Sequence, residues 1–137
     1  MKVFLDTNII LDYALVREPN IKVVDKIIDL IFNSTIQGYT STNCLTDIFY
    51  ISSKDLGKEA AKEIIFKIIG LLYVISVDLD DCVNALNLPI PDFEDALIVS
   101  CADKANVDNI ITYDNDFCKF STKSCKIVKP EEFLKII

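Results

Sequence analysis

Hydrophobic residues of this chain follow two patterns that alternate along the sequence. Short continuous apolar runs, such as the one at 3–5, are typical of strands buried on both faces. Between them, apolar residues recur every three or four positions, which is the spacing of an amphipathic helix. The runs predict strands at 3–5, 38–41, 73–77, 109–112 and 126–128. The helical spacing predicts helices at 9–14, 23–31, 45–56, 58–69, 79–88, from 92 onward and from 130 onward.

Strands that alternate with helices at this rhythm favour an α/β fold, in which helices cover a central parallel β-sheet. The chain has 137 residues, of which 51% are hydrophobic. That length is sufficient for one hydrophobic core and favours one domain over two. No repeat, low-complexity segment or linker interrupts the pattern. We therefore predict a single domain over residues 1–137.

Acidic residues recur where predicted strands end or predicted helices begin. Asp6 follows the first strand, the segment DFED at 92–95 begins a helix, and Asp114 and Asp116 follow the fourth strand. In an open parallel sheet the loops at the carboxyl ends of the strands form the ligand site, so these acids are expected to meet. Each acid could instead serve only as a helix cap. The recurrence at three junctions favours a site for a hard cation such as Mg²⁺ or Mn²⁺.

The overall charge initially argues against a nucleic-acid partner. The chain has 14 Lys and Arg against 21 Asp and Glu, a formal net charge of −7. A phosphate backbone is repelled by such a surface unless bound divalent cations reverse the local field. The five cysteines form no CxxC pair and the chain has no histidine, which makes a zinc site improbable. We expect reduced cysteines, no membrane-spanning segment and a cytoplasmic protein.

Four segments carry a resemblance to a known family. VFLDTNIILDY, PDFEDALIVSCA, IITYDNDF and IVKPEEFL resemble the PIN domain family, in the same order and at comparable separations over nearly the whole chain. The resemblance implies a three-layer α/β/α sandwich around a parallel sheet. The family includes the ribonuclease toxins of VapC-type toxin–antitoxin pairs, so it also implies a metal-dependent ribonuclease.

The resemblance assigns roles to individual acids. Asp6, Asp95 and Asp114 match the family's metal-binding acids. The family usually has Glu in the helix after its second strand, whereas this chain offers Asp47, which is one methylene shorter. Further positions that match are two additional acids, Asp92 and Asp116, and two polar residues that would hold the acids in place, Asn8 and Thr112.

The sequence thus predicts hydrolysis of an RNA phosphodiester bond, with water activated by Mg²⁺ or Mn²⁺ because no histidine is available as a base. Lysines near the predicted site are candidates for phosphate contacts, namely Lys54, Lys58, Lys119 and Lys123. An antitoxin protein and a second copy of the chain are the expected protein partners, on apolar helix faces at 23–32 and 61–69.

Parts of this pattern are also compatible with two other interpretations. Asp6 at the end of a first strand could be a phosphoryl-accepting nucleophile of the haloacid-dehalogenase kind, but that chemistry needs a second Asp where this chain has Asn8. A PIN fold with a weakened site could instead serve as a protein-interaction module, which Asp47 and the acidic composition both allow.

Overall fold

The computed structural model describes residues 1–137 and contains one five-stranded parallel sheet covered by helices. The strands are β1 (Lys2–Leu5), β2 (Gln37–Ser41), β3 (Tyr73–Ile75), β4 (Asn109–Ile111) and β5 (Lys126–Val128). The helices are α1 (Thr7–Ala14), α2 (Ile21–Phe32), α3 (Thr42–Leu56), α4 (Lys58–Leu71), α5 (Leu79–Leu86), α6 (Phe93–Ala105), α7 (Asn115–Cys118) and α8 (Pro130–Ile136). The predicted α/β sandwich is therefore confirmed.

The strand order is β3-β2-β1-β4-β5, with every neighbouring pair parallel. The chain first moves outward from β1 to β2 and β3, then returns to the other side of β1 with β4 and β5. Helix α1 packs against α2 and α3, α3 packs against α4, and α5 packs against α6. The order of the strands reverses between β1 and β4, and such a switch point is where ligands bind in open parallel sheets.

The core explains why β1 is a continuous apolar run. Val3, Phe4 and Leu5 are fully buried, as expected for a central strand with helices on both faces. Ile110 and Ile111 of β4 are also fully buried beside them. Because β1 and β4 are packed on both faces, the positions of their carboxyl ends are well defined. The residues that follow these two strands are therefore held in defined positions.

Some element bounds differ from the prediction for local reasons. Helix α1 begins at Thr7, because the Asp6 side chain accepts a hydrogen bond from the Thr7 N–H and caps the helix. Strand β3 ends at Ile75, and the Val77 N–H donates to the Thr42 hydroxyl at 3.2 Å instead of pairing with a strand. The expected acidic turn after β4 contains a one-turn helix, α7.

A glycine sets the turn between the two longest helices. Gly57 has φ +89°, a conformation that side-chain-bearing residues rarely adopt, and it lies between α3 and α4. The chain thereby turns from α3 into α4, which packs back against α3, while α3 also packs against α1. All five cysteines are free thiols. None of the helices has the length and apolar character needed to span a membrane.

Candidate active site

The site begins at the junction of β1 and β4. The Asp6 N–H donates to the Ile111 carbonyl at 3.1 Å, which extends the pairing of these strands by one residue. The Thr112 hydroxyl donates to Asp6 Oδ2 at 2.7 Å, and the Thr7 N–H donates to Asp6 Oδ1 at 2.7 Å. Both carboxylate oxygens of Asp6 are therefore held in place by groups at the strand ends.

Thr112 connects two of the acids. It is buried directly after β4. Its hydroxyl group accepts a hydrogen bond from the Asp114 N–H at 3.1 Å and donates one to Asp6. Asp114 in turn caps α7, because its Oδ1 accepts from the N–H groups of Asp116 and Phe117 at 2.8 and 3.1 Å. The two strand ends thus hold their acids through one shared hydroxyl group.

The start of α6 supplies a second group of acids. Asp92 is the N-cap residue, and its Oδ1 accepts a hydrogen bond from the Asp95 N–H at 3.0 Å. This capping bond uses one carboxylate oxygen of Asp92. Glu94 and Asp95 lie in the first turn of α6, where the helix dipole favours negative charge.

These elements enclose an acidic pocket of about 400 Å³. Asp47 and Tyr50 of α3 line it together with the strand ends and the start of α6. Six carboxylates line this acidic pocket and no lysine or arginine does. Its lining residues are Asp6, Thr7, Asn8, Asp47, Tyr50, Ile51, Asp92, Glu94, Asp95, Thr112, Tyr113 and Asp114.

Burial and mutual repulsion raise the pKa values of three of these acids. Partial burial, followed by the charges of Asp92, Asp114, Asp6 and Glu94, raises the pKa of Asp95 to about 7. Burial also raises the pKa of Asp6 above its ordinary value, although hydrogen bonds from Thr112 and Thr7 oppose the effect.

The third acid is Glu94, whose pKa is raised by burial and by the charges of Asp47, Asp92 and Asp6. Asp47 therefore lies close enough to Asp6 and Glu94 for its charge to act on both. The acidic pocket accumulates negative charge that no cationic side chain in it balances.

The donor chemistry of the acidic pocket fits a hard divalent cation. Carboxylate oxygens without thiolate or imidazole partners are the ligands that Mg²⁺ and Mn²⁺ prefer. No three of the side chains are already arranged so that they could hold an ion together. An ion that binds here therefore has to bring carboxylates of the pocket closer together.

Seven of the predicted site residues line the acidic pocket, namely Asp6, Asn8, Asp47, Asp92, Asp95, Thr112 and Asp114. Asp116 does not line it: its Oδ1 lies 2.9 Å from Lys119 Nζ on the outside of α7. Glu94, Tyr50 and Tyr113 also line the pocket and were not predicted from the sequence, although each is within three residues of a predicted acid.

The predicted phosphate-binding lysines lie outside the acidic pocket. Lys54 contacts a lining residue, because its Nζ lies 4.3 Å from the centre of the Tyr50 ring. Lys58 is exposed at the start of α4, and Lys123 is exposed in the loop before β5. Lys119 is paired with Asp116.

Comparison with known proteins identifies the family to which this fold belongs. A sequence profile of the PIN domain matches residues 2–116. The chain belongs to the PIN domain family. PIN domains generally act as nucleases that use divalent metal ions, in agreement with the donor set described above. A comparison with curated proteins found no significant match.

Solved structures share the fold of this PIN domain. VapC20 of Mycobacterium tuberculosis, a sarcin-ricin loop cleaving toxin, is 16% identical with a TM-score of 0.70, over 88% of this chain and 97% of the toxin. A chain of VapBC2 from Rickettsia felis, bound to a DNA fragment from its promoter, is 18% identical with a TM-score of 0.68, over 94% and 98%. PAE2754 of Pyrobaculum aerophilum is 14% identical with a TM-score of 0.66, over 99% and 88%. At these identities the likeness establishes the fold alone.

Proposed function

We propose that this PIN domain is an endoribonuclease that hydrolyses RNA phosphodiester bonds at the acidic pocket with Mg²⁺ or Mn²⁺. The observation that carries the proposal is the set of six carboxylates without a cationic side chain, at the point where the strand order of the sheet reverses. Helix capping explains Asp6, Asp92 and Asp114 individually, but it explains neither Asp95 nor Asp47.

Asp6, Asp95 and Asp114 are the residues that would hold the ion. A divalent ion bound there supplies the activation of water and the stabilisation of the departing oxygen that phosphodiester hydrolysis needs. Thr112 keeps the Asp6 carboxylate directed toward the acidic pocket through the 2.7 Å hydrogen bond. Asp47 and Glu94, which also line the pocket, complete the set of oxygens or orient a water molecule.

The same assignment reconciles the net charge with an RNA substrate. Without a cation, the acidic pocket repels a phosphate, and the chain's net charge of −7 adds to that repulsion. With a cation, the local field is reversed where the phosphate has to lie. Lys54 is the first candidate to contact a neighbouring phosphate, because it contacts Tyr50 at the pocket. The other candidates for contacts with the RNA backbone are Lys58, Lys119 and Lys123.

Within a cell, this nuclease acts as the toxin of a toxin–antitoxin pair. Several solved structures with this fold are VapBC or toxin–antitoxin complexes. A groove of about 800 Å³ between α1, α2 and α4 offers a matching surface, since twelve of its sixteen lining residues are hydrophobic and Phe32 at its edge is 77% exposed. The antitoxin is expected to cover this groove, and a second copy of the chain is the other expected partner.

Cleavage of a panel of structured and unstructured RNAs tests the proposed activity. Wild type is compared with Asp6→Asn and Asp95→Asn in Mg²⁺, in Mn²⁺ and with chelator. Asp29→Asn, an exposed acid on α2 away from the pocket, is the matched control. We expect wild type and the control to cleave only with metal and the two pocket variants to lose cleavage.

If wild type cleaves none of the RNAs and calorimetry detects no Mn²⁺ binding, the nuclease proposal is wrong and an interaction module takes its place. For the toxin role, expression of wild type is expected to arrest growth and expression of Asp95→Asn is not. Unimpaired growth with active wild-type enzyme would remove the toxin role while leaving the nuclease.

A further inference from the structure

An exposed aromatic side chain lies on the wall of the acidic pocket. Tyr50 lines the pocket and yet keeps 59% of its surface exposed, on the same helix that carries Asp47. Residues three apart share a helix face, so the ring of Tyr50 lies next to the carboxylate of Asp47 at the mouth of the pocket. Neither core packing nor metal ligation accounts for a large exposed ring in this position.

A lysine follows the ring along the same face of α3. Lys54 is four residues after Tyr50, and its Nζ lies 4.3 Å from the ring centre, a distance typical of a cation–π contact. The helix rises 1.5 Å per residue, so Asp47, Tyr50 and Lys54 span about 10 Å along its axis. The surface changes over this distance from a carboxylate to an aromatic ring and then to a positive charge.

We propose that the face of the Tyr50 ring that Lys54 does not cover stacks on an unpaired base next to the cleaved phosphate, and that Lys54 contacts the phosphate beyond that base. The inference rests on the proposed ribonuclease function. Single-stranded RNA is held by aromatic rings that stack on splayed bases, with Lys or Arg beside them along the backbone. The stripe made of Tyr50 and Lys54 offers both groups in that order, starting at the pocket where the phosphate is hydrolysed.

Stacking has a consequence for the choice of substrate. Every base has a π face, so an aromatic ring accepts all four bases but requires that the base be unstacked from its neighbours. The stripe therefore selects an unpaired nucleotide, in a loop, bulge or single strand, rather than a particular base. A fully paired RNA helix cannot present a base to Tyr50 without opening.

The test measures KM and kcat on a single-stranded RNA, and affinity for the same RNA, in wild type, Tyr50→Leu and Tyr50→Phe. We expect Tyr50→Leu to raise KM and Kd by about 5- to 150-fold, the range of one lost base–aromatic stack, with a smaller change in kcat. Tyr50→Phe keeps the ring and is expected to restore both. Tyr73→Leu, at the sheet edge with 58% exposure, is the control for loss of a surface tyrosine and is expected to match wild type.

A second substrate makes the assignment specific. An RNA with one abasic nucleotide beside the cleavage site lacks the base that Tyr50 would contact. Wild type is expected to bind this abasic RNA more weakly than the intact RNA, whereas Tyr50→Leu is expected to bind both RNAs equally. Loss of the base and loss of the ring remove the same interaction, so the second loss adds nothing to the first. A 2-aminopurine at that nucleotide should lose fluorescence on binding wild type and not on binding Tyr50→Leu.

The phosphate contact of Lys54 is tested by the salt dependence of RNA affinity. Lys54→Ala should reduce the slope of log affinity against log salt concentration by about one, and Lys26→Ala on α2 should leave the slope unchanged.

The outcomes separate this inference from the proposed function. If wild type cleaves RNA and Tyr50→Leu has wild-type KM and Kd, the stacking role is wrong and the nuclease stands. If the abasic RNA weakens Tyr50→Leu as much as wild type, the base contacted lies elsewhere and the inference is also overturned. If wild type neither binds nor cleaves any RNA, both proposals are wrong.

Discussion

Replacing Asp95 by Asn should make the metal-free protein more stable while removing its activity. The side chain keeps its shape, but a charge is removed that burial disfavours and that the neighbouring carboxylates, Asp92, Asp114, Asp6 and Glu94, also repel. Asn can also donate a hydrogen bond to one of these carboxylates. A residue that is unfavourable for folding and needed for a function is expected at a binding site.

The magnitude follows from the shift in the pKa of Asp95 from 3.8 to about 7. A full shift of about 3 units at 1.36 kcal/mol per unit is an upper bound of about 4 kcal/mol. The carboxylate is partly open to solvent, which screens the repulsion, so we expect a gain of about 1–2 kcal/mol in the free energy of unfolding at pH 8. For a chain of this size that is an increase in Tm of about 3–8 °C.

The pH dependence gives the sign of the effect. Because the pKa of Asp95 is raised on folding, the folded protein holds its proton more tightly than the unfolded chain does. Wild-type stability from this group is therefore present at low pH and is lost as the pH rises from about 4 to about 7. The advantage of Asp95→Asn should grow over that window and stay constant above it.

Thermal denaturation in chelator and in Mn²⁺, at pH 5 and pH 8, measures both effects, with Asp29→Asn as the control. In Mn²⁺ the order should reverse, because an ion that binds the folded state more tightly in wild type stabilises wild type more than Asp95→Asn. A variant that is less stable than wild type at pH 8 in chelator would refute the repulsion argument. An equal response of both proteins to Mn²⁺ would refute the role of Asp95 in holding the ion.

Three further predictions concern the acidic pocket and the residues that hold it in place. Thr112→Val removes the hydroxyl that joins Asp6 to Asp114, so it should cost about 1–2 kcal/mol in urea denaturation and weaken Mn²⁺ binding by roughly 10- to 100-fold in calorimetry. Thr112→Ser should be close to wild type, and an unchanged Thr112→Val would contradict the account. Mn²⁺ binding at pH 6.5 should release protons, seen as a heat that depends on the buffer, because the raised pKa of Asp95 leaves it largely protonated there; a heat that is the same in all buffers would count against this. Phe117→Ala, at a fully buried ring of α7, should cost about 3–5 kcal/mol in urea denaturation, and a loss under 1 kcal/mol would show that α7 is not anchored by this ring.

Local signals were sufficient for the parts of the site that lie on one junction. The apolar run before Asp6 and the helical spacing after it predict a strand followed by a helix, and in such a junction the acid has to lie at the sheet edge. The same holds for Thr112 and Asp114 after β4. That these two junctions meet was expected, because the carboxyl ends of parallel strands lie at one edge of a sheet. The strand order itself, with β4 directly beside β1, was not predicted from the sequence.

Features that depend on the relative placement of elements were missed. Tyr50 joins the pocket through the placement of α3, which packs against α1 and so brings one of its faces to the strand ends. Asp116 looked equivalent to Asp114 in sequence. Once Asp114 caps α7, however, the next acid is carried to the outside of the turn, where Lys119 pairs with it. The spacing of acids along the sequence does not contain this difference.

The central claim is that one divalent-ion site in the acidic pocket performs RNA cleavage. The most direct test follows the cleavage rate of one RNA against Mn²⁺ concentration, with Mn²⁺ binding measured on the same protein. In wild type the two curves should have the same midpoint, and Asp95→Asn should shift binding to higher Mn²⁺ and abolish cleavage. Cleavage that persists in chelator, or that Asp95→Asn performs at the wild-type rate, would contradict the claim.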